Sequence, residues 1–384
     1  MHRVVIVGAG LAGARCAETL RARGFDGAIQ LVGDEPFPPY ERPALSKALL
    51  TGGVGVGATR LRSPTWWAEA GIQLLLSRRV VRVDPARRVA VLRGGEELPW
   101  NTLVLATGAA ARELPHLAAV RGVHRLRSLQ NALALRRALR SSRRLLVVGA
   151  GFVGTEVASA AVSLGVDVTL VDPLAPLSRV LGDEVSAVLT RRYRNHGVDV
   201  RIGVGIDGVE APRGNLRAAR LTDESRLACD LILAAVGVAP APVQGVPAGA
   251  NGVTTDAAGR TGIQGVYACG DVAEAWHPLL CRNLRVEHWA DAAAQGAAVA
   301  HAILGAPAPP RQLPFFWSDQ FGLRLQYVGH GSGWRTVELQ GAGESFTAVY
   351  RDDAGRRLAA LVANRPQELG ELRKTLLADL PTAA

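Results

Sequence analysis

Two glycine clusters and one lysine carry the clearest chemical signals in this chain. The clusters are Gly8-Ala9-Gly10-Leu11-Ala12-Gly13 and Gly149-Ala150-Gly151-Phe152-Val153-Gly154. A short apolar run precedes each, RVVIV and RRLLVV, and a helical pattern follows. Then comes a second strand-like run with an acid at its end, Asp34 in the first case and Asp172 in the second. Strand, G-x-G-x-x-G, helix, strand, acid is the pattern of a dinucleotide site. The glycines allow a tight turn, close approach of the pyrophosphate and helix–strand packing, and the acid receives ribose hydroxyls. The helix N-terminus offers its free N–H groups to the phosphates. The lysine is Lys47, in PFPPYERPALSK. Lysine and arginine total 44, and only Lys47 and Lys374 are lysines, which leaves 42 arginines. A chain that uses arginine almost everywhere keeps an ammonium at position 47.

Two nucleotide folds in one chain suggest two redox carriers facing each other, a flavin dinucleotide and a nicotinamide dinucleotide. The runs LVLATG, ending in Ala106-Thr107-Gly108, and LILAAVG, ending in Val236-Gly237, read as strands with small residues where backbone must approach a ligand. GVYACGDVAEA reads as a strand ending at Gly270-Asp271 and opening another helix, with Asp271 placed for flavin hydroxyls. By contrast TGGVGVGATR, residues 51–60, has no strand before it and reads as a flexible loop.

These elements need room, and 384 residues allow two or three domains. A hydrophobic fraction of 48% with 20% charged residues fits an ordinary globular chain. The four cysteines, Cys16, Cys229, Cys269 and Cys281, form no close pair, so buried free thiols and a cytoplasmic location are expected. The basic, apolar N-terminus belongs to the first fingerprint rather than to a signal peptide. No apolar run is long enough to span a bilayer. The formal net charge of +10 suits an acidic partner. His116, His124, His196 and His301 lack ligand spacing, so no metal site is expected. Trp66, Trp67, Trp100, Trp276 and Trp334 are read as packing residues.

GAGLAG, YERPALSK, ATG, GAGFVGTE, YACGDVA, RVEHW and FFWSDQF occur in the order seen in FAD-dependent ferredoxin reductases. The chain resembles the putidaredoxin-reductase-like and biphenyl-dioxygenase-reductase-like enzymes over almost its whole length. That resemblance implies an α/β fold: two Rossmann-like dinucleotide-binding domains of glutathione-reductase type plus a small α+β C-terminal domain. The FAD-binding domain would be split into residues 1–112 and 247–310, around an NAD-binding domain at 113–246. The C-terminal reductase domain would cover 311–384, with a hairpin turning at Asp353-Ala354-Gly355. RPALSK departs mildly from the family's RPPLSK. The stretch GVAPAPVQGVPAGANG is shorter than the family norm and reads as a linker without a helix. The interval between Asp172 and Arg179 is one residue short.

The resemblance implies electron transfer from NADH through FAD to an acidic ferredoxin, a 2Fe-2S or similar iron–sulfur protein, serving a cytochrome P450 or Rieske-type oxygenase. It implies neither nucleic acid nor membrane as partner, and leaves the oligomeric state open. It places Lys47 beside the flavin N5, paired with Glu156, and these two are the catalytic candidates. An ammonium is a compact donor, whereas a forked guanidinium would crowd the space where nicotinamide stacks. It also carries Glu35, Arg42, Val81, Glu287, His288, Trp289 and Trp317 into the cofactor site, with His288 and Trp289 opening a helix. Asp172 would favour NADH by repelling a 2′-phosphate, with Arg179 nearby. With no cysteine pair, electrons must leave the flavin directly. Two other readings fit the same fingerprints, an NADH oxidase and a nicotinamide-sensing flavoprotein resembling apoptosis-inducing factor.

Overall fold

The computed structural model describes residues 2–380; Met1 and the last four residues of the expected C-terminal domain lie outside the described residues. The first sheet contains β1 (Arg3–Val7), β2 (Ala28–Val32), β3 (Ile72–Leu75) and β4 (Thr102–Leu105), in spatial order β4-β1-β2-β3 and parallel throughout. Val4, Val5 and Ile6 have no exposed surface. Apolar side chains at successive positions suit a sheet covered on both faces. Beyond β4 the sheet is completed by the strand Val266–Ala268, which arrives after the second nucleotide fold. Helix α1 (Leu11–Ala22) follows β1 through the first glycine cluster.

The second sheet repeats this plan. It contains β5 (Val123–His124), β6 (Arg144–Val148), β7 (Asp167–Asp172), β8 (Asp199–Ile202) and β9 (Leu231–Ala234), in parallel order β8-β7-β6-β9-β5. Helices α2 (Phe152–Ser163) and α3 (Ser178–Asn195) follow β6 and β7. The chain passes between the two folds along an antiparallel pair, Ala109–Ala111 with Val238–Pro240. Past Pro240 the proline–glycine stretch holds no helix.

The C-terminal part is an antiparallel sheet of β10 (Phe315–Gln320), β11 (Leu323–Gly329), β12 (Thr336–Ala342), β13 (Ser345–Arg351) and β14 (Arg357–Ala363), in order β10-β11-β14-β13-β12. The expected hairpin at 353–355 joins β13 to β14. This sheet docks on the second fold. Tyr350 OH donates to Leu181 O at 2.9 Å, and Phe321 N donates to Ser159 Oγ at 2.8 Å. Helix α4 (Trp289–Ile303) begins where expected, with His288 as its N-terminal flanking residue.

Several expectations need correction. Residues 51–60 are not a free loop: a 3-10 turn at Val56–Thr59 buries Thr59, whose carbonyl accepts Glu41 N at 2.8 Å. Gly270-Asp271 opens only a 3-10 turn, and the chain then continues as the strand Ala273–His277. Gly270 takes φ +75°, which turns the backbone out of a helical path. Cys281 is exposed, unlike the three other thiols. Trp276 is 42% exposed and so is not a packing residue.

Candidate active site

Both fingerprints close in the same way. Gly8 takes φ +119°, and a Cβ there would lie 2.1 Å from Ala106 O. A Cβ on Gly13 would lie 2.1 Å from Gly8 O. Gly149 takes φ +106° with Ala235 O at 2.4 Å, and Gly154 would meet Gly149 O at 2.0 Å. The middle glycines differ in kind: a Cβ on Gly10 or Gly151 would meet nothing within 4 Å. The space above them is open to a ligand. Neither α1 nor α2 has a side-chain cap or an acid in its first turn, so their first N–H groups face outward unneutralised.

A cavity of about 330 Å³ lies where the two folds meet. The first fold lines it with Gly8, Gly10, Leu11, Ala12, Asp34, Glu35, Arg42, Lys47, Ala106, Thr107 and Gly108. The second fold contributes Phe152, Val153 and Glu156, and Gly270, Asp271, Glu287, His288, Trp289 and Trp317 are among the other lining residues. Gly13 packs beneath. Gly149, Gly151, Gly154, Asp172, Val236 and Gly237 belong to the second fold and do not line the cavity; Gly149 and Gly154 are buried, whereas Gly151 and Gly237 are exposed. Val81 is misplaced by the sequence reading: on the strand Val80–Asp84 it is 40% exposed, whereas Val80 is buried. The strand's pairing register shifts between Val80 and Arg82, so Val81 is the extra residue of a bulge and turns outward. Arg179 is exposed at the start of α3, away from the cavity.

Glu156 sits at the meeting point of all three parts of the chain. Lys47 Nζ lies 2.7 Å from Glu156 Oε2. Ser46 Oγ donates to the same oxygen at 2.5 Å, and Ser318 Oγ donates to Oε1 at 2.6 Å. Behind Ser318, Gln320 Nε2 donates to its hydroxyl at 3.2 Å, and Tyr193 OH donates to Gln320 Oε1 at 2.7 Å. The carboxylate is thus held by donors on both oxygens, and the ammonium, 19% exposed, faces the cavity. Ser46 and Ser318 escaped the sequence reading although both sit inside quoted motifs, RPALSK and FFWSDQF.

The remaining wall is a polar network. Arg42 Nη2 donates to Glu35 Oε1 at 3.0 Å, and Tyr40 OH donates to Glu35 Oε2 at 2.7 Å. Arg127 Nη2 pairs with Asp271 Oδ2 at 2.8 Å and its Nε donates to Ala109 O at 2.8 Å. Arg127 was missed because no local motif surrounds it. Burial pushes His288 down to about 4, so its ring is neutral at neutral pH. His288 Nδ1 and Trp289 Nε1 are buried without partners at the cavity wall. Two orphaned polar atoms, open space over Gly10 and uncapped helix N–H groups together fit a dinucleotide cofactor.

Asp172 is engaged differently from Asp34. Its Oδ2 accepts Ala150 N at 2.8 Å and its Oδ1 accepts Leu174 N at 2.8 Å, so it braces the second glycine loop. Around it Leu174, Val180 and Ile202 are each more than 40% exposed.

Residues 2–296 match the family described as pyridine nucleotide-disulphide oxidoreductase. The chain belongs to that family. Residues 315–384 match the reductase C-terminal domain. A ferredoxin–NAD(P)(+) reductase from a Sphingomonas species is 36% identical over 96% of this chain and 91% of its own length. Putidaredoxin reductase from Pseudomonas putida is 35% identical over 98% of this chain and 92% of its own length. Among solved structures, the covalent putidaredoxin reductase–putidaredoxin complex aligns with a TM-score of 0.94 at 34% identity, over 99% of this chain and 94% of that one. The ferredoxin reductase for the CYP199A2 system from Rhodopseudomonas palustris aligns with a TM-score of 0.93 at 32% identity, over 100% of this chain and 96% of that one. The resemblance drawn from the motifs therefore holds. This oxidoreductase is of the ferredoxin reductase type, with an α/β architecture of two dinucleotide folds and a reductase C-terminal domain. It lacks what the family name advertises, however. Cys269 lines the cavity as a free cysteine, and burial pushes its thiol up to about 12. A thiol so far from ionising is not a nucleophile for disulfide exchange.

Proposed function

We propose that this oxidoreductase carries electrons from NADH through one non-covalent FAD to an acidic iron–sulfur ferredoxin. The Lys47–Glu156 ion pair supports this most directly. It joins the two folds at the wall of one cavity in which the only thiol is protonated. FAD supplies the link between a two-electron donor and a one-electron acceptor. The chain's own residues do the rest. The α1 N-terminus and the open face of Gly10 receive the pyrophosphate, and Asp34 receives ribose hydroxyls. Lys47 presents a fixed positive charge where negative charge develops on reduction, and Glu156 keeps that ammonium in place. His288, being neutral, adds no competing charge. On the second fold, Gly151 and the α2 N-terminus receive the NADH pyrophosphate. Leu174, Val180 and Ile202 offer apolar surface to its adenine, and Asp172 disfavours a 2′-phosphate. Trp317, on the cavity rim, marks the side where the ferredoxin docks, and the chain's +10 charge favours an acidic partner.

The test is direct. The purified protein is yellow and releases FAD on denaturation. NADH turnover is slow with oxygen alone and rises steeply when ferredoxin is added. Release of FMN, or fast turnover with oxygen that ferredoxin does not raise, overturns the reading in favour of another flavin or an oxidase. Charge steering is screened over about 10 Å at 0.1 M salt. Ferredoxin-dependent turnover therefore falls steeply with salt while NADH–ferricyanide turnover holds. Parallel salt curves would remove the acidic partner from the proposal.

A further inference from the structure

The segment that joins α4 to the C-terminal sheet is fastened by a buried ion pair. Arg311 Nη2 donates to Asp291 Oδ1 at 2.5 Å, and the two side chains are only 8% and 4% exposed. Asp291 lies in the first turn of α4, just past the His288 and Trp289 of the cavity wall. Its other oxygen, Oδ2, accepts Gln295 Nε2 at 2.5 Å. Gln295 Oε1 in turn accepts Gly270 N at 2.9 Å. Gly270 and Asp271 form a turn that lines the cavity beside the first fingerprint, where a Cβ on Gly270 would lie 2.9 Å from the Ala12 Cβ. A chain of three hydrogen bonds thus runs from the linker to the cavity wall. The linker is pinned beyond Arg311 as well. Gln312 O lies 3.2 Å from His277 Nε2, and Leu313 is buried. Two residues later β10 begins, bringing Phe316 and Trp317 to the same cavity.

A buried ion pair is a poor source of stability, because desolvating both ions offsets most of their attraction. This one is poorer still, since Arg311 Nε is buried without a partner. What the pair does supply is a fixed position, since a guanidinium and a carboxylate in hydrogen-bond contact tolerate little displacement. We propose that Arg311 is a positioning residue for the resident cofactor. Acting through Asp291 and Gln295, it holds the Gly270-Asp271 turn in the shape that receives FAD. The same contact sets β10 and Trp317 against that edge of the cavity. This inference rests on the FAD reading above.

The test uses full-length protein stripped of flavin. FAD affinity is measured by flavin fluorescence quenching, with the fine structure of the bound flavin spectrum and the apoprotein melting temperature alongside. Arg311→Met leaves Asp291 unpaired and loosens FAD by roughly tenfold or more. Gln295→Met leaves the ion pair intact, lowers the apoprotein melting temperature by a few degrees through its two lost hydrogen bonds, and loosens FAD and blurs its spectrum. Asp291→Asn combined with Arg311→Met removes both charges but keeps a carbonyl to accept from Gln295; it restores affinity to within about threefold of wild type. If Arg311→Met does not fold, the other two variants decide. A wild type that takes up no FAD overturns the cofactor reading, and this inference with it. Wild-type affinity in Arg311→Met or in Gln295→Met, or a double variant with affinity lowered as far as the tenfold expected of Arg311→Met, overturns the inference alone.

Discussion

At Gly8 an added Cβ would sit 2.1 Å from Ala106 O, and at Gly149 it would sit 2.4 Å from Ala235 O. The two loops are built to nearly the same tolerance, yet their surroundings diverge. The first opens into a half-open cavity whose walls come from every part of the chain, cross-linked by Arg42–Glu35, Arg127–Asp271 and Lys47–Glu156. The second presents Leu174, Val180 and Ile202 to solvent and uses its acid to brace its own backbone. A resident cofactor is served by enclosure and many contacts, whereas a substrate that must leave each turnover is served by an open face. On the proposed reading, near-identical fingerprints serve a prosthetic site in one fold and an exchange site in the other. What separates them is the covering, which the fingerprint does not encode.

The strongest way to probe that division is at the point where the two folds touch. Lys47→Arg keeps the charge but changes its shape. It is expected to slow flavin reduction by NADH roughly a hundredfold, the scale of a lost pre-organised donor, while FAD affinity changes little. Stopped-flow absorbance and flavin titration measure the two separately. Wild-type reduction in this variant would make Lys47 an ordinary surface cation. Next in size is Ser318→Ala, which removes the C-terminal domain's donor to Glu156. A hydrogen bond to a charged group contributes about 1.5–3 kcal/mol, so reduction slows by roughly tenfold or more. FAD content should stay constant, because Ser318 contacts Glu156 and Gln320 and does not itself line the cavity. The third test sets the loops directly against each other. Gly10→Ala and Gly151→Ala each add a methyl to open space, so neither disturbs the apoprotein melting temperature. The first should loosen FAD by roughly tenfold, about 1.4 kcal/mol. The second should leave the protein yellow and raise the KM for NADH by a similar factor. If either variant shows the other's phenotype, the assignment of cofactor to fold is reversed.

Sequence alone revealed the two folds because their signals are local: apolar runs, glycine spacing and a terminal acid lie within a short stretch of chain. Lys47 stood out by composition and Glu156 by its place in a motif. The partners that hold them did not stand out. Ser318 reaches Glu156 from 162 residues away, and Arg127 reaches Asp271 from 144 residues away. Such contacts are set by how domains dock, and no local period records that. Val81 lies off the cavity for a smaller reason, since a bulge between Val80 and Arg82 breaks the strand's alternation and nothing in the local sequence records it. The helix expected after Gly270-Asp271 failed because a positive-φ glycine followed by strand looks, in sequence, much like a glycine opening a helix.

The mildest test concerns Asp172, where one side chain has two roles. Its carboxylate braces the second glycine loop through Ala150 N and Leu174 N, and its charge faces whatever ribose the loop receives. Each carboxylate oxygen has a second acceptor direction, so bracing the loop leaves room for a ribose hydroxyl. Asp172→Ala removes the brace, which loosens both nucleotides alike, and the acceptor for the ribose 2′-hydroxyl, which weakens NADH alone. It also removes a repulsive charge, which favours NADPH. The NADH-to-NADPH ratio of kcat/KM should therefore narrow from both sides. The group is partly exposed, so each contribution is small, about 1 kcal/mol or less, and the ratio should fall by roughly fivefold to tenfold. Flavin content and the Gly10→Ala phenotype should not change, because Asp172 does not line the cavity between the folds. A wild type that prefers NADPH would shift the choice to Arg179, exposed in the first turn of α3, and would leave Asp172 with the brace alone.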